Sequence, residues 1–174
     1  TTGGGNTGIG NFALRSNNTT SRNTAVGSYA MVANKASFGT GIGEFALTSN
    51  TTGGGNTVVG SNALVSNTTA AANTAIGTNT MFYNITGGSN TVVGYQALLN
   101  NDSSSGNTAI GRQAMLSHRG LNGNNTAVGL EAMQFDSAGF TNVAVGWRSL
   151  RNHKRGGDNV AIGVGALESD SSGN

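Results

Sequence analysis

A Val or Ile followed by Gly recurs ten times in this chain, at Gly10, Gly27, Gly43, Gly60, Gly77, Gly94, Gly111, Gly129, Gly146 and Gly163. The steps are 17 residues apart, except for one of 16 (Gly27 to Gly43) and one of 18 (Gly111 to Gly129). A unit this short offers about three large apolar side chains and cannot bury a core alone. Stacked copies can, each coil contacting its neighbours. The spacing therefore predicts an all-β chain, a parallel β-solenoid or β-roll of ten coils. Residues 1–174 form one repeat array. The array opens in the Gly-rich turn Thr1-Thr2-Gly3-Gly4-Gly5 and stops in Asp170-Ser171-Ser172-Gly173-Asn174, both mid-unit, so it reads as a segment of a longer fibre.

Each slot of the unit has a physical role. Four residues before the Gly stands Asn6, Asn23, Asn56, Asn73, Asn90, Asn107, Asn125, Asn142 or Asn159, and only Gly39 breaks the series. Coils about 4.8 Å apart would let these amides bond up and down the stack as a ladder. A β-branched residue, a small residue and then Val or Ile follow, which suits a short strand. The glycine ends that strand, permitting a bend or a close backbone approach. A second apolar pair follows, as in Ala30-Met31 and Ala63-Leu64, and fits either a second strand or a tight helical turn. The rest is turn-forming, and the one-residue changes of period fall there.

With Val and Ile pointing into the column, the small residues Ala25, Gly41, Ala75, Ala109, Ala127, Ala144 and Ala161 would form a second flat face. That face is the expected contact with identical chains, closing a homotrimer.

Composition narrows the function. Charged residues are 9 % of the chain, the net charge is +2, and there is no Cys or Pro. So dilute a charge gives no nucleic-acid footprint, and only Arg148, Arg151, Lys154 and Arg155 cluster, as a solvated turn. No apolar run approaches the roughly 20 residues of a membrane span. No cofactor, metal or catalytic constellation is expected, so the chain does not read as an enzyme. Gly3-Gly4-Gly5-Asn6-Thr7-Gly8 has the letters of a dinucleotide fingerprint but not its strand, helix and acidic residue. The Gly-rich turns lack the recurrent Asp of calcium-binding rolls. His118 and His153 fall seven residues after a repeat Gly, in a slot otherwise held by Asn or Asp, and read as variants of a polar surface turn with no carboxylate beside them. Several glycosylation sequons occur, among them those at Asn18, Asn50, Asn67 and Asn84, in predicted surface turns. The variable slots after the glycine hold Phe12, Tyr29, Phe45, Tyr95 and Trp147. These are candidate surface-recognition positions, able to stack on sugars or to pack along the fibre.

The unit Asn-Thr-Ala-Val-Gly-x-x-Ala-Leu, as at Asn23 to Met31 and Asn107 to Met115, resembles repeats in tail-fibre-like and surface-fibre proteins of phages and bacteria. Asn159-Val160-Ala161-Ile162-Gly163 is also similar to the Asn-Ser-Val-Ala-Ile-Gly motif in the head domains of trimeric autotransporter adhesins, which use a shorter unit. The resemblance covers the whole chain. It implies a left-handed trimeric β-roll, extracellular on a virion or cell surface, serving in attachment or as a spacer, with a cell-surface glycan or receptor as partner. Two rivals stand beside this. Thr7, Thr24, Thr40, Thr57, Thr74, Thr91, Thr108 and Thr126 form a file, as an ice-binding or glycan-binding solenoid would need, although Val143 and Val160 interrupt it. A fibre-borne depolymerase would need paired acids, and the seven acidic residues form no recurrent pair.

Overall fold

The computed structural model describes residues 3–173 and is a parallel β-solenoid. Thr1, Thr2 and Asn174 of the two terminal turns lie outside the described residues. Every coil contributes one three-residue strand ending just before the repeat glycine: β1 (Thr7–Ile9), β2 (Thr24–Val26), β3 (Thr40–Ile42), β4 (Thr57–Val59), β5 (Thr74–Ile76), β6 (Thr91–Val93), β7 (Thr108–Ile110), β8 (Thr126–Val128), β10 (Val143–Val145) and β12 (Val160–Ile162). They form one ten-stranded parallel sheet in coil order. Register follows the repeat throughout: Thr24 pairs with Thr40 across the 16-residue coil, and Thr108 with Thr126 across the 18-residue coil. The length differences are absorbed in the far turn, as expected. Two extra strands, β9 (Ala138–Phe140) and β11 (Arg155–Gly157), pair in parallel on another wall of the last coils. Among the described residues no helix is long and apolar enough to cross a membrane.

The facing of the strands is the reverse of the one expected. The middle, small residue points inward: Ala25, Ala75, Ala109, Ala127 and Ala144 are fully buried, as are Val58 and Val92. The Val/Ile residue points out, with Ile42, Ile76 and Ile110 all more than a third exposed. The reason is volume. The opposite wall sends Met31, Leu47, Leu64, Met81, Leu98, Met115, Met133 and Leu150 across the column, all fully buried, and together they fill it. Under them only a small residue or a Val fits. A Cβ on Gly41 would stand 2.7 Å from Met31 Cγ. The small-residue face therefore lies inside the core and is not available to a neighbouring chain.

The second apolar pair is neither strand nor helix. The residues two and four after each glycine have positive φ, for example Tyr29 (58°) and Met31 (52°), or Gln96 (55°) and Leu98 (49°). Side chains rarely adopt this conformation. Hydrogen bonds in two directions hold it here. Ala30 N–H donates to Gly27 O within the coil (3.3 Å), and Met31 N–H donates to Ala46 O of the next coil (2.9 Å). The repeat glycine meets both of its expected roles. Gly77 has φ 132°, and a Cβ there would stand 2.7 Å from Gly94 O in the next coil.

Candidate functional site

The predicted Asn ladder exists, buried along the inner edge of the sheet. Asn23, Asn56, Asn73, Asn90, Asn107, Asn125 and Asn142 are at most 1 % exposed. Its rungs run mainly from backbone to side chain. Asn73 N–H donates to Asn56 Oδ1 (2.9 Å), Asn90 N–H to Asn73 Oδ1 (3.0 Å) and Asn107 N–H to Asn90 Oδ1 (2.8 Å). Gly39 supplies no oxygen to the next rung, yet its own N–H still donates to Asn23 Oδ1 (2.8 Å).

A second ladder occupies the slot seven residues after the glycine, read from the sequence as a surface turn. Asn34, Asn50, Asn67, Asn84 and Asn101 are buried there, and their amides bond directly to one another. Asn50 Nδ2 donates to Asn34 Oδ1 (2.6 Å), Asn67 Nδ2 to Asn50 Oδ1 (2.7 Å) and Asn101 Nδ2 to Asn84 Oδ1 (2.7 Å). Carbonyls of the third wall tie the ladders together: Ala70 O accepts from both Asn56 Nδ2 (2.8 Å) and Asn67 Nδ2 (3.0 Å). Sequence reasoning missed this ladder although Asn holds its slot in each of the first six coils, from Asn17 to Asn101. The neighbouring Thr, Ser and Gly made the whole stretch read as solvated. The finding also corrects the sequon reading. Asn50, Asn67 and Asn84 are buried with Nδ2 engaged, so in the folded chain they are closed to glycosylation, while Asn18 is exposed.

His118 and His153 continue this second ladder and are fully buried, which overturns their reading as surface turn residues. A carboxylate does accompany them. Asp136 stands between, with Oδ2 2.7 Å from His118 Nδ1 and Oδ1 3.4 Å from His153 Nδ1. Gly139 N–H donates to Asp136 Oδ1 (2.9 Å), and His118 Nε2 lies 2.8 Å from Asn122 O. Burial pushes the Asp136 carboxyl up, but its contacts with His118 and His153 outweigh this and hold it below the ordinary carboxylate range. The Asp136 carboxylate holds the His153 imidazole above its usual value, against the opposing effect of burial. The arrangement is an ionic stretch of a structural ladder. Among the described residues no group of three His, Cys, Asp or Glu could hold a metal ion.

The candidate recognition residues fall into two separate files. Phe12, Tyr29 and Phe45 stack from coil to coil, with ring centroids 5.1 and 5.2 Å apart. Further along that file Gln113 Nε2 donates to Gln96 Oε1 (2.9 Å), and then Arg148 Nε donates to Glu131 Oε2 (2.9 Å). Tyr95 and Trp147 lie in the adjacent file, about half exposed. Arg148 sits over the Trp147 ring at 4.8 Å. Stacking, amide and ionic rungs all link neighbouring coils, which is what packing along a fibre requires. The basic cluster is thus only partly solvated: Arg148 and Arg151 both reach Glu131, while Lys154 and Arg155 line an open groove with Phe140.

Two surface features went unread in the sequence. The first is the outward Val/Ile file, which runs beside the Thr file on the exposed face of the sheet. The second is a ledge on the fifth coil, where Tyr83 and Ile85, next to Phe82, occupy slots that in most other coils hold small or polar residues. No protein-family model matches the chain, and comparison with curated proteins and with solved structures gives no significant match.

Proposed function

We propose that this chain is a section of the shaft of an extracellular attachment fibre, carried on a virion or a cell surface and assembled as a homotrimer. One observation carries the reading: the in-register ten-stranded sheet presents an unbroken outward face of Thr, Val and Ile without a single charge. A monomer gains nothing from leaving Ile42, Ile76 and Ile110 in water, while identical chains with the same coil height can match that file over its whole length. Rotation about the rod axis would set the sheet face of each chain against a neighbouring wall of the next, a heterologous contact that closes as a ring. The buried ladders supply axial stiffness, since every coil bonds to the next through at least one of them. Sedimentation or light scattering on the folded protein tests the assembly. A species of three times the 17.4 kDa chain mass is expected, and a stable monomer overturns it.

The outward Thr file favours a second reading, an ice-binding face. The same face cannot be both buried between chains and free to order water. A monomer that shows thermal hysteresis would select this reading over the first.

A further inference from the structure

Most side chains of this protein are explained by the repeat; the fifth coil holds two large exposed ones, Tyr83 and Ile85, that are not. At Tyr83 the corresponding residues of neighbouring coils are Ser49, Ser66, Asn100 and Ser117, and at Ile85 they are Thr51, Thr68, Asp102 and Arg119. Tyr83 is 52 % exposed and Ile85 is 45 % exposed, so neither serves the core. Phe82 braces the Tyr83 ring edge-on, with centroids 4.8 Å apart, so the ring projects from the wall in a fixed direction. A depression lies on each side of it. One, of about 370 Å³, is lined by Ser66, Tyr83, Ile85, Asn100, Asp102 and Arg119. The other, of about 190 Å³, places Asn79 and Gln96 around Phe82, Tyr83 and Leu99.

We propose that this ledge is a carbohydrate-binding site, with Tyr83 as a platform between two sugar subsites. A sugar ring has an apolar C–H face and a rim of hydroxyls, each able to donate and accept. The larger depression offers the matching set: an exposed aromatic ring, an amide that does both (Asn100), an acceptor (Asp102) and a five-donor guanidinium (Arg119). The acceptor is ionised at neutral pH. The N–H of Gly120 donates to Asp102 Oδ1 at 3.0 Å and holds the carboxyl below its ordinary value. Among the described residues no ion pair joins Asp102 to Arg119, so both can turn to a ligand. The alternatives fit less well. A phosphate-bearing chain meets the Asp102 charge, a peptide strand finds no open sheet edge here, and a lipid tail finds a polar rim. The two depressions flanking one ring suit at least a disaccharide. The inference rests on the attachment reading for its purpose, and the repetition of the site in an oligomer would multiply weak contacts.

The test is an array of neutral, amino- and acidic oligosaccharides probed with the folded chain, followed by titration of the best oligosaccharide into wild type, Tyr83→Ser and Tyr29→Ser. Tyr83→Ser restores the residue that the repeat prefers, so circular dichroism and oligomer mass should stay unchanged. Affinity should fall at least about tenfold, the loss of one aromatic stacking partner. Tyr29→Ser, remote from the ledge, should bind as wild type does. An array without a bound saccharide, or binding that survives Tyr83→Ser, overturns the proposal. A trimer that binds no sugar would sink this inference and leave the shaft standing. A sugar-binding monomer would do the reverse.

Discussion

The repeat glycine and the buried Asn are both close to invariant in the unit, but for different physical reasons. Gly77→Ala would put a Cβ into Gly94 O and hold it at φ 132°. Strain and overlap together should cost about 2–4 kcal/mol in chemical denaturation. Asn67→Ala removes the donor to Asn50 Oδ1 and an acceptor from Asn84 Nδ2, both buried. Unsatisfied polar groups at 1–3 kcal/mol each make the expected loss about 2–4 kcal/mol; a loss below about 0.5 kcal/mol would show that the second ladder is dispensable. Gly39 shows how far such slots can be read from sequence. It looks like a defect in the first ladder, yet a Cβ there would meet Met31 Cε at 2.6 Å. Completing the ladder with Gly39→Asn should therefore lower stability, and Met31→Leu should recover part of the loss. Which Asn are buried was only half legible, because one-letter recurrence marks a slot as constrained without saying which way it points.

The individual coil was legible where its backbone is regular. Three-residue strands, their order and their register follow from the Val/Ile-Gly spacing alone. The wall after the glycine did not, because alternating positive φ at residues such as Tyr29 and Met31 is sustained by hydrogen bonds from the neighbouring coil, which no local propensity encodes. Coils seven to ten also differ from the rest in chemistry. His118, Asp136 and His153 replace amides in the second ladder, and Asp170 occupies the next slot. His153 has a raised folded-state pKa, so its contribution is complete below its ordinary value of 6.5 and is lost as pH rises through the folded value. Asp136 has a lowered one, so its contribution is complete above 3.8 and is lost as pH falls through the folded value. These coils should be best protected between those two limits and loosen as the pH rises above 6.5 through the folded-state value of His153. Hydrogen exchange read against coils three to six, whose amide ladder does not titrate, isolates the effect. Asp136→Asn should flatten it, and an unchanged pH profile in that variant would refute the assignment.

Across the whole molecule the solenoid is a one-dimensional object, and so is the association surface proposed for it. Nine inter-strand steps of about 4.8 Å and strands about 10 Å long give a sheet face of roughly 430 Å². A standard interface buries about 800 Å² per partner, so this face alone supplies about half of one, and the flanking wall residues must supply the rest. Interface area then grows in proportion to the number of coils, which ties assembly to array length and explains why so regular a face would be kept over all ten. The core lies wholly on the other side of the sheet, so assembly and folding can be separated by mutation. Val59→Lys with Val93→Lys sets two charges in the middle of the outward file while leaving Val58, Val92 and both ladders in place. The double variant should keep its β-sheet circular dichroism, while its unfolding should lose the dependence on protein concentration that assembly gives the wild-type chain. Its mass in solution should drop to that of a single chain. A variant that remains a trimer would move the interface to another wall of the rod.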